Sequence, residues 1–225
     1  MENIYPDLTA PTTQIKSKER VSTHGEVFTS DREVNAMLDL VGQETERIES
    51  RFLEPACGNG NFLAKILERK LAVVRRCYAK SRTDYELYAL ITVSSIYGVE
   101  IQNDNVEECR DRLYGIFTNE YTTLFKNSTT EEYLKSIRYI IDKNILWGDA
   151  LTLKTPDGAK PIIFSEWSAM GGKVKRRDFT LDNLLQNQPM AEPNLFSDLG
   201  DEAFIPTPFK EFPLTHYLKL HGYAE

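Results

Sequence analysis

Apolar residues recur at helical intervals through much of the chain and gather into short continuous runs at three places. Ser30 and Glu33 form a capping-box pattern, and Val34, Met37, Leu38 and Val41 follow three and four positions apart. That spacing predicts a helix running to about Glu49. The run "RFLE" (51–54) is short, apolar at its centre and closed by Pro55, so it reads as a buried strand. Phe62, Leu63, Ile66, Leu67 and Leu71 then mark one face of an amphipathic helix over 61–80. A further helical segment, roughly 83–95, leads into a second strand, "IYGVE". Asn103 can cap the next helix, with Val106, Cys109, Leu113 and Phe117 on one face. "EEYLKSIRYIID" predicts another helix, and "NILWGD" a third strand. Strands alternating with helices predict a doubly wound α/β domain, a parallel sheet with helices on both faces.

The pattern changes after Asp149. "KPIIFSEWSAMGGKVKRRDFTL" has two strand-like halves around Gly171-Gly172, which predicts a β-hairpin over about 161–180. Five of the ten prolines fall between Pro189 and Pro213, so an extended tail is expected there, with a short helix near 214–220. Residues 1–22 are polar, contain Pro6 and Pro11, and read as an extended arm. The chain thus divides into an arm (1–22), an α/β domain (23–187) and a proline-rich tail (188–225).

Composition narrows the chemistry. A net charge of −7 and a pI near 5.2 exclude a chain that binds polyanions over its whole surface. Any work on nucleic acid needs a local basic surface or a partner's. Cys57, Cys77 and Cys109 lack metal-type spacing, and only three histidines accompany them, so no metal site is expected. No stretch reads as a signal peptide or a bilayer-spanning run, and a reducing cytoplasmic compartment is expected.

The glycine loop "EPACGNGN" carries the first functional signal. Gly58 and Gly60 allow a tight strand-to-helix turn and close approach of a ligand to free N–H groups of the helix. A dinucleotide site predicts an acid about 20 residues on; here the next acid ending a strand is Glu100. Glu54, inside the loop, suits an ammonium group rather than a pyrophosphate, which favours S-adenosylmethionine (SAM) over a nicotinamide dinucleotide.

Four segments then fall into one order: "GEVFTS" (25–30), "LEPACGNGNFL" (53–63), "YGVEI" (97–101) and "LWGDAL" (146–151). Together they resemble the SAM-binding motifs of N6-adenine DNA methyltransferases, above all the modification enzymes of restriction–modification systems. The resemblance covers about residues 20–180 and implies a Rossmann-like SAM-dependent methyltransferase fold. It places Phe28 and Thr29 over the methionine end of SAM, with the Thr29 hydroxyl on the carboxylate. Glu54 would lie by the amino group, with Pro55, Ala56, Gly58 and Gly60 forming the loop. Glu100 would accept the ribose hydroxyls, Ile101 would pack on the adenine, and Asp149 would accept from the adenine amino group, with Ala150 and Leu151 walling the ring. Read from the residues alone, Thr29 can equally be a helix-end residue beside Ser30, and Cys57 a small packed side chain.

One family element is absent. Members carry an Asn/Asp-Pro-Pro-Tyr/Phe loop that accepts hydrogen bonds from the target amine and stacks on the flipped base. No such tetrapeptide, and no Pro-Pro, occurs in this chain. "FSEW" (164–167) could substitute only if Trp167 and Glu166 faced a base, whereas a structural hairpin is the expected role. "KVKRR" (173–177) could touch phosphate or line a solvated strand. The resemblance therefore implies the SAM-binding half of a split enzyme, an incomplete parallel sheet. A second subunit would bring the Asn-Pro-Pro-Tyr loop and target recognition, and DNA would be reached through that complex, with no membrane involved. The aromatic, proline-rich tail is the expected docking segment. The alternatives are a non-catalytic SAM-binding regulatory protein, and a self-sufficient methyltransferase acting on RNA or a small molecule.

Overall fold

The computed structural model describes residues 16–24, 26–185 and 207–223. Its first helix, α1 (Lys18–His24), lies in the stretch that reads as an extended arm. Ser17 supplies the start signal, its hydroxyl accepting from the Arg20 N–H at 3.1 Å. The capping box at Ser30 forms: the Ser30 N–H donates to Glu33 at 3.1 Å and its hydroxyl accepts from the Glu33 N–H at 3.4 Å. Helix α2 (Asp31–Asp39) stops well short of Glu49, however, and a four-residue α3 (Gly42–Thr45) follows. The Leu40 N–H turns back to Met37 O, tightening the last turn, and Gly42 is a poor residue for carrying a helix through.

Three short strands, β1 (Phe52–Glu54), β2 (Ile96–Glu100) and β3 (Ile145–Trp147), form a parallel sheet in the order β1-β2-β3. Phe52 sits opposite Ile96, and Gly98 opposite Ile145. Helices α4 (Asn61–Tyr78) and α5 (Arg82–Ser94) connect β1 to β2, and α6 (Asn103–Phe125) and α7 (Glu131–Asn144) connect β2 to β3. Asn103 opens α6 rather than capping it; Gln102 holds the cap position without a side-chain bond. The protein is thus mixed α/β with a parallel three-stranded sheet.

The crossover helices take one face of the sheet rather than both. Leu63 and Leu67 of α4, Val106 and Leu113 of α6, and Ile137 and Ile141 of α7 share one core with Ile96 and Ile145. On the other face Tyr97, Val99 and Leu146 meet Ile162, Phe164 and Leu181 from the hairpin region. Handedness explains the correction. Parallel crossovers are right-handed, so two of them running in one direction put their helices on the same face. Helices reach the opposite face only where strand order reverses, and no described strand lies beyond β1.

Strands β4 (Ile163–Met170) and β5 (Lys173–Thr180) make the expected hairpin. Gly171 and Gly172 both take positive φ, at 54° and 75°, as a two-residue turn matched to strand twist requires. A short α8 (Leu181–Leu185) follows. The described part of the tail is not extended away from the body. Strands β6 (Lys210–Glu211) and β7 (Thr215–His216) pair with β5, and a 3-10 helix over Tyr217–Gly222 packs on α7. Phe212, Tyr217, Leu220 and Tyr223 are buried. The tyrosines bury their rings because each hydroxyl finds an acceptor: Tyr217 donates to Glu86 at 2.6 Å, and Tyr223 to Val174 O at 3.0 Å. Phe212, Tyr217 and Tyr223, expected in a docking segment, therefore fill this chain's own core, whereas Phe209 is 66% exposed. The remainder of the tail, 188–206, and the arm up to residue 15 lie outside the described residues. Among the described residues no helix is long and apolar enough to cross a membrane.

Candidate functional site

The site is built at the carboxyl ends of the parallel strands, where open α/β sheets leave room for ligands. After β1 the chain turns through Pro55 and Ala56, both exposed, into the glycine loop. The Cys57 N–H donates to Val99 O at 3.0 Å, and the Gly60 N–H to Cys57 O at 2.8 Å, which pins the loop to β2. Gly58 and Gly60 have φ of 53° and 86°. A Cβ on Gly60 would come within 2.6 Å of the Cys109 sulfur, and one on Gly58 within 3.1 Å of the Phe28 ring. Both glycines are thus needed for packing within the chain as well as for any ligand.

Glu100 ties the strand ends together. It is nearly buried, at 7% exposure. One carboxylate oxygen accepts from the Gly58 N–H at 2.9 Å and the other from the Gln102 N–H at 2.8 Å. Its own carbonyl accepts from the Gly148 N–H at 3.0 Å, which brings in the segment after β3. Each carboxylate oxygen keeps a second lone pair for an outside donor. Glu54, half-buried, is different. Burial pushes its pKa up, opposed by a hydrogen bond from the Ala56 backbone, and no cation pairs with it among the described residues. Phe28 is buried against Gly58, and Thr29 is anchored through its carbonyl, which accepts from the Asn61 amide at 2.9 Å.

The third segment is looser. Asp149 is turned onto its own loop, accepting from the Leu151 N–H at 2.9 Å and the Thr152 hydroxyl at 3.0 Å, and these bonds lower its pKa. Ala150 packs with the Val99 and Ile162 cluster. Leu151 is 95% exposed and walls nothing within this chain. Ile101 and Trp147 are both about half exposed, and the Trp147 indole N–H donates to Ile101 O at 2.9 Å. That pair forms an apolar ledge beside Glu100.

No protein-family model, curated protein or solved structure matches the chain.

Several features here have no counterpart in the sequence reading. Asn61 links Thr29 to Arg112, whose guanidinium donates to the other end of the Asn61 amide. The segment before α2 also folds over the loop. Arg20 bridges Glu26 and Asp104, and Lys16 reaches Asp104 and Glu108, while the Asn59 amide donates to Glu108 at 3.1 Å. Hydrogen bonds from Arg20 hold the Asp104 carboxyl down at about 2. Little in the sequence besides the Ser17 cap signals this cluster, because Lys16 and Arg20 lie more than 80 residues from Asp104.

Other sequence candidates are placed elsewhere. The Trp167 indole is buried and donates to Asn144 at 2.9 Å, while Glu166 pairs with Arg51 and Arg177, so "FSEW" cannot stand in for a base-stacking loop. In "KVKRR", Lys175 pairs with Glu211, Arg176 with buried Asp178 and Arg177 with Glu166, leaving little free charge for phosphate. A cavity of about 300 Å³ lies on the hairpin-side face, lined by Leu53, Tyr97, Phe164, Phe179 and Leu184. An open groove of about 530 Å³ runs between Phe28, Thr29 and Met37. Neither includes Glu54, Glu100 or Asp149.

Proposed function

We propose that this chain is the SAM-binding subunit of a split adenine-N6 DNA methyltransferase of a restriction–modification system. The observation that carries the reading is Glu100, whose carboxylate joins the glycine loop to β2 and which precedes half-exposed Ile101 and lies in register with half-exposed Trp147. The donor set fits the cofactor. Glu100 would take the ribose hydroxyls, Ile101 and Trp147 would meet the adenine, and Glu54, with no cation beside it among the described residues, would take the ammonium group. Thr29 would hold the carboxylate. When bound, SAM supplies an electrophilic methyl group on a sulfonium. The chain's own residues bind and orient; in-line displacement is then a matter of positioning. The Asn-Pro-Pro-Tyr loop that accepts from the target amine does not occur in this sequence. That loop, the base pocket and sequence recognition belong to the partner in this reading, and the partner covers the free edge of β1.

Expression of this chain together with the product of an adjacent gene that carries an Asn-Pro-Pro-Tyr strand tests the proposal. Duplex DNA and SAM should yield N6-methyladenine with both chains present and with neither alone. No product from the pair would overturn it. The missing tetrapeptide also suits a non-catalytic SAM-binding protein, which would bind SAM and associate with no such partner.

A further inference from the structure

Asn61 is the first residue of α4, yet its side chain does not cap that helix. At 5% exposure it uses both ends of its amide: Nδ2 donates to Thr29 O at 2.9 Å, and Oδ1 accepts from Arg112 of α6. The backbone on the other side of Thr29 is fixed by the Ser30–Glu33 capping box, and Phe28 is packed on Gly58. At Thr29 itself the backbone is tied to α4 by one amide, braced from behind by Arg112. The remaining ties between α2 and α4 lie elsewhere: Arg69 bonds Asn35 and Asp39, and Lys65 pairs with Asp31. Those contacts keep α2 docked whatever occupies position 61.

We infer that Asn61 is a positioning residue for the amino-acid end of the bound cofactor, acting through Thr29, with Arg112 as its brace. The inference rests on the SAM reading and adds a division of labour to it. Glu100, Ile101 and Trp147 serve the adenosine end without Asn61, because no hydrogen bond joins them to it among the described residues. Loss of the amide releases the Thr29 carbonyl from α4 while Glu26, Phe28 and Ser30 keep their own ties, so the effect is confined to ligands that carry an amino acid.

Calorimetric titration of the full chain with two probes separates this from a general loss of structure. S-adenosylhomocysteine carries the amino-acid end, and 5′-methylthioadenosine shares the adenosine and lacks that end. Asn61→Leu removes the donor and should weaken S-adenosylhomocysteine about tenfold, the worth of one lost hydrogen bond to a fixed group, while 5′-methylthioadenosine binds as before. Asn61→Ser adds no bulk and has a hydroxyl too short to replace the amide; it should shift the same ratio, which keeps the test usable if Asn61→Leu does not fold. Equal weakening of both probes, or no change in either, overturns the inference. A wild-type chain that binds neither probe overturns the cofactor reading, and this inference with it.

Discussion

The hairpin-and-tail end of the molecule and the glycine-loop end are built from similar residues and finished differently. At the hairpin end, buried charges find partners inside the chain. Arg176 bonds Asp178 twice and lies 4.1 Å from the Phe212 ring centre, and the Glu86 carboxylate accepts from Tyr121 and Tyr217. At the glycine-loop end, Glu54 is half-buried with no cation among the described residues, and Ile101, Trp147 and Leu151 stand exposed at the strand ends. Strand β1 pairs on one side only among the described residues, and Leu53 is 47% exposed. Interiors tolerate few unpaired polar groups, and surfaces expose few clustered apolar ones. Met170, Phe209 and Leu214 stand exposed at the hairpin end too, so what sets the strand ends apart is the half-buried Glu54 carboxylate beside exposed apolar residues, the place where the proposed cofactor would bind.

The comparison breaks most readily in the tail. Leu220 is fully buried, and its N–H donates to Ser136 at 3.2 Å. Leu220→Ala leaves a cavity against α7 and should cost about 2–5 kcal/mol, lowering the melting temperature by roughly 5–20 °C. Thermal unfolding followed by circular dichroism measures it. A change of less than ~1 kcal/mol would mean that the tail is only laid on the core and is free to dock elsewhere.

A smaller effect is expected at the foot of the glycine-loop half. Lys70 of α4 is fully buried beneath β1, its ammonium donating to Ile48 O, Ser50 O and the Ser95 hydroxyl at 2.7 Å. Lys70→Met leaves three oxygens without that donor and should destabilise by about 1–3 kcal/mol in chemical denaturation. Burial brings the Lys70 pKa down from 10.5 to about 7. Between those values the unfolded chain binds the proton more fully than the folded one, so this group makes stability rise with pH. The stability of wild type relative to Lys70→Met should therefore climb from pH 7 to pH 9.5. A flat difference would show that the three acceptors hold the charge against burial.

The alternation of strands and helices was legible because each element carries its own period: "IYGVE" is β2 residue for residue, and the Ser30–Glu33 box formed as read. Local signals set local structure. What was not legible depended on distant partners. Tyr217 and Leu220 look like loose aromatic and apolar residues until Glu86 and Ser136, 131 and 84 positions away, come beside them. Asn61 reads as one more polar residue of a loop until Thr29 and Arg112 bracket it. The side of the sheet taken by the helices was decided by crossover handedness, which no single residue encodes. The candidate site adds one local exception. Glu100 could be read from its strand end, whereas the inward turn of Asp149 follows from Leu151 and Thr152 bonding it locally.

The smallest effect tests the open end directly. Leu53 sits on β1, lines the cavity of about 300 Å³ beside Leu184, and is already 47% exposed. Leu53→Lys can lay its methylene stem along the same apolar wall and keep its ammonium in water, so the isolated chain should lose no more than about 0.5 kcal/mol. Urea unfolding midpoints of the two forms provide the measurement. A loss comparable with that of Leu220→Ala would place β1 in the chain's committed core and erase the contrast between the two ends. The same lysine should matter greatly once a second chain pairs with β1, because charge on an edge strand opposes strand addition. Co-purification of the split pair should then fall with Leu53→Lys and stay intact with a charge placed at exposed Met170 on the hairpin turn. An isolated fold that ignores the substitution and a complex that does not tolerate it would locate the interface at β1.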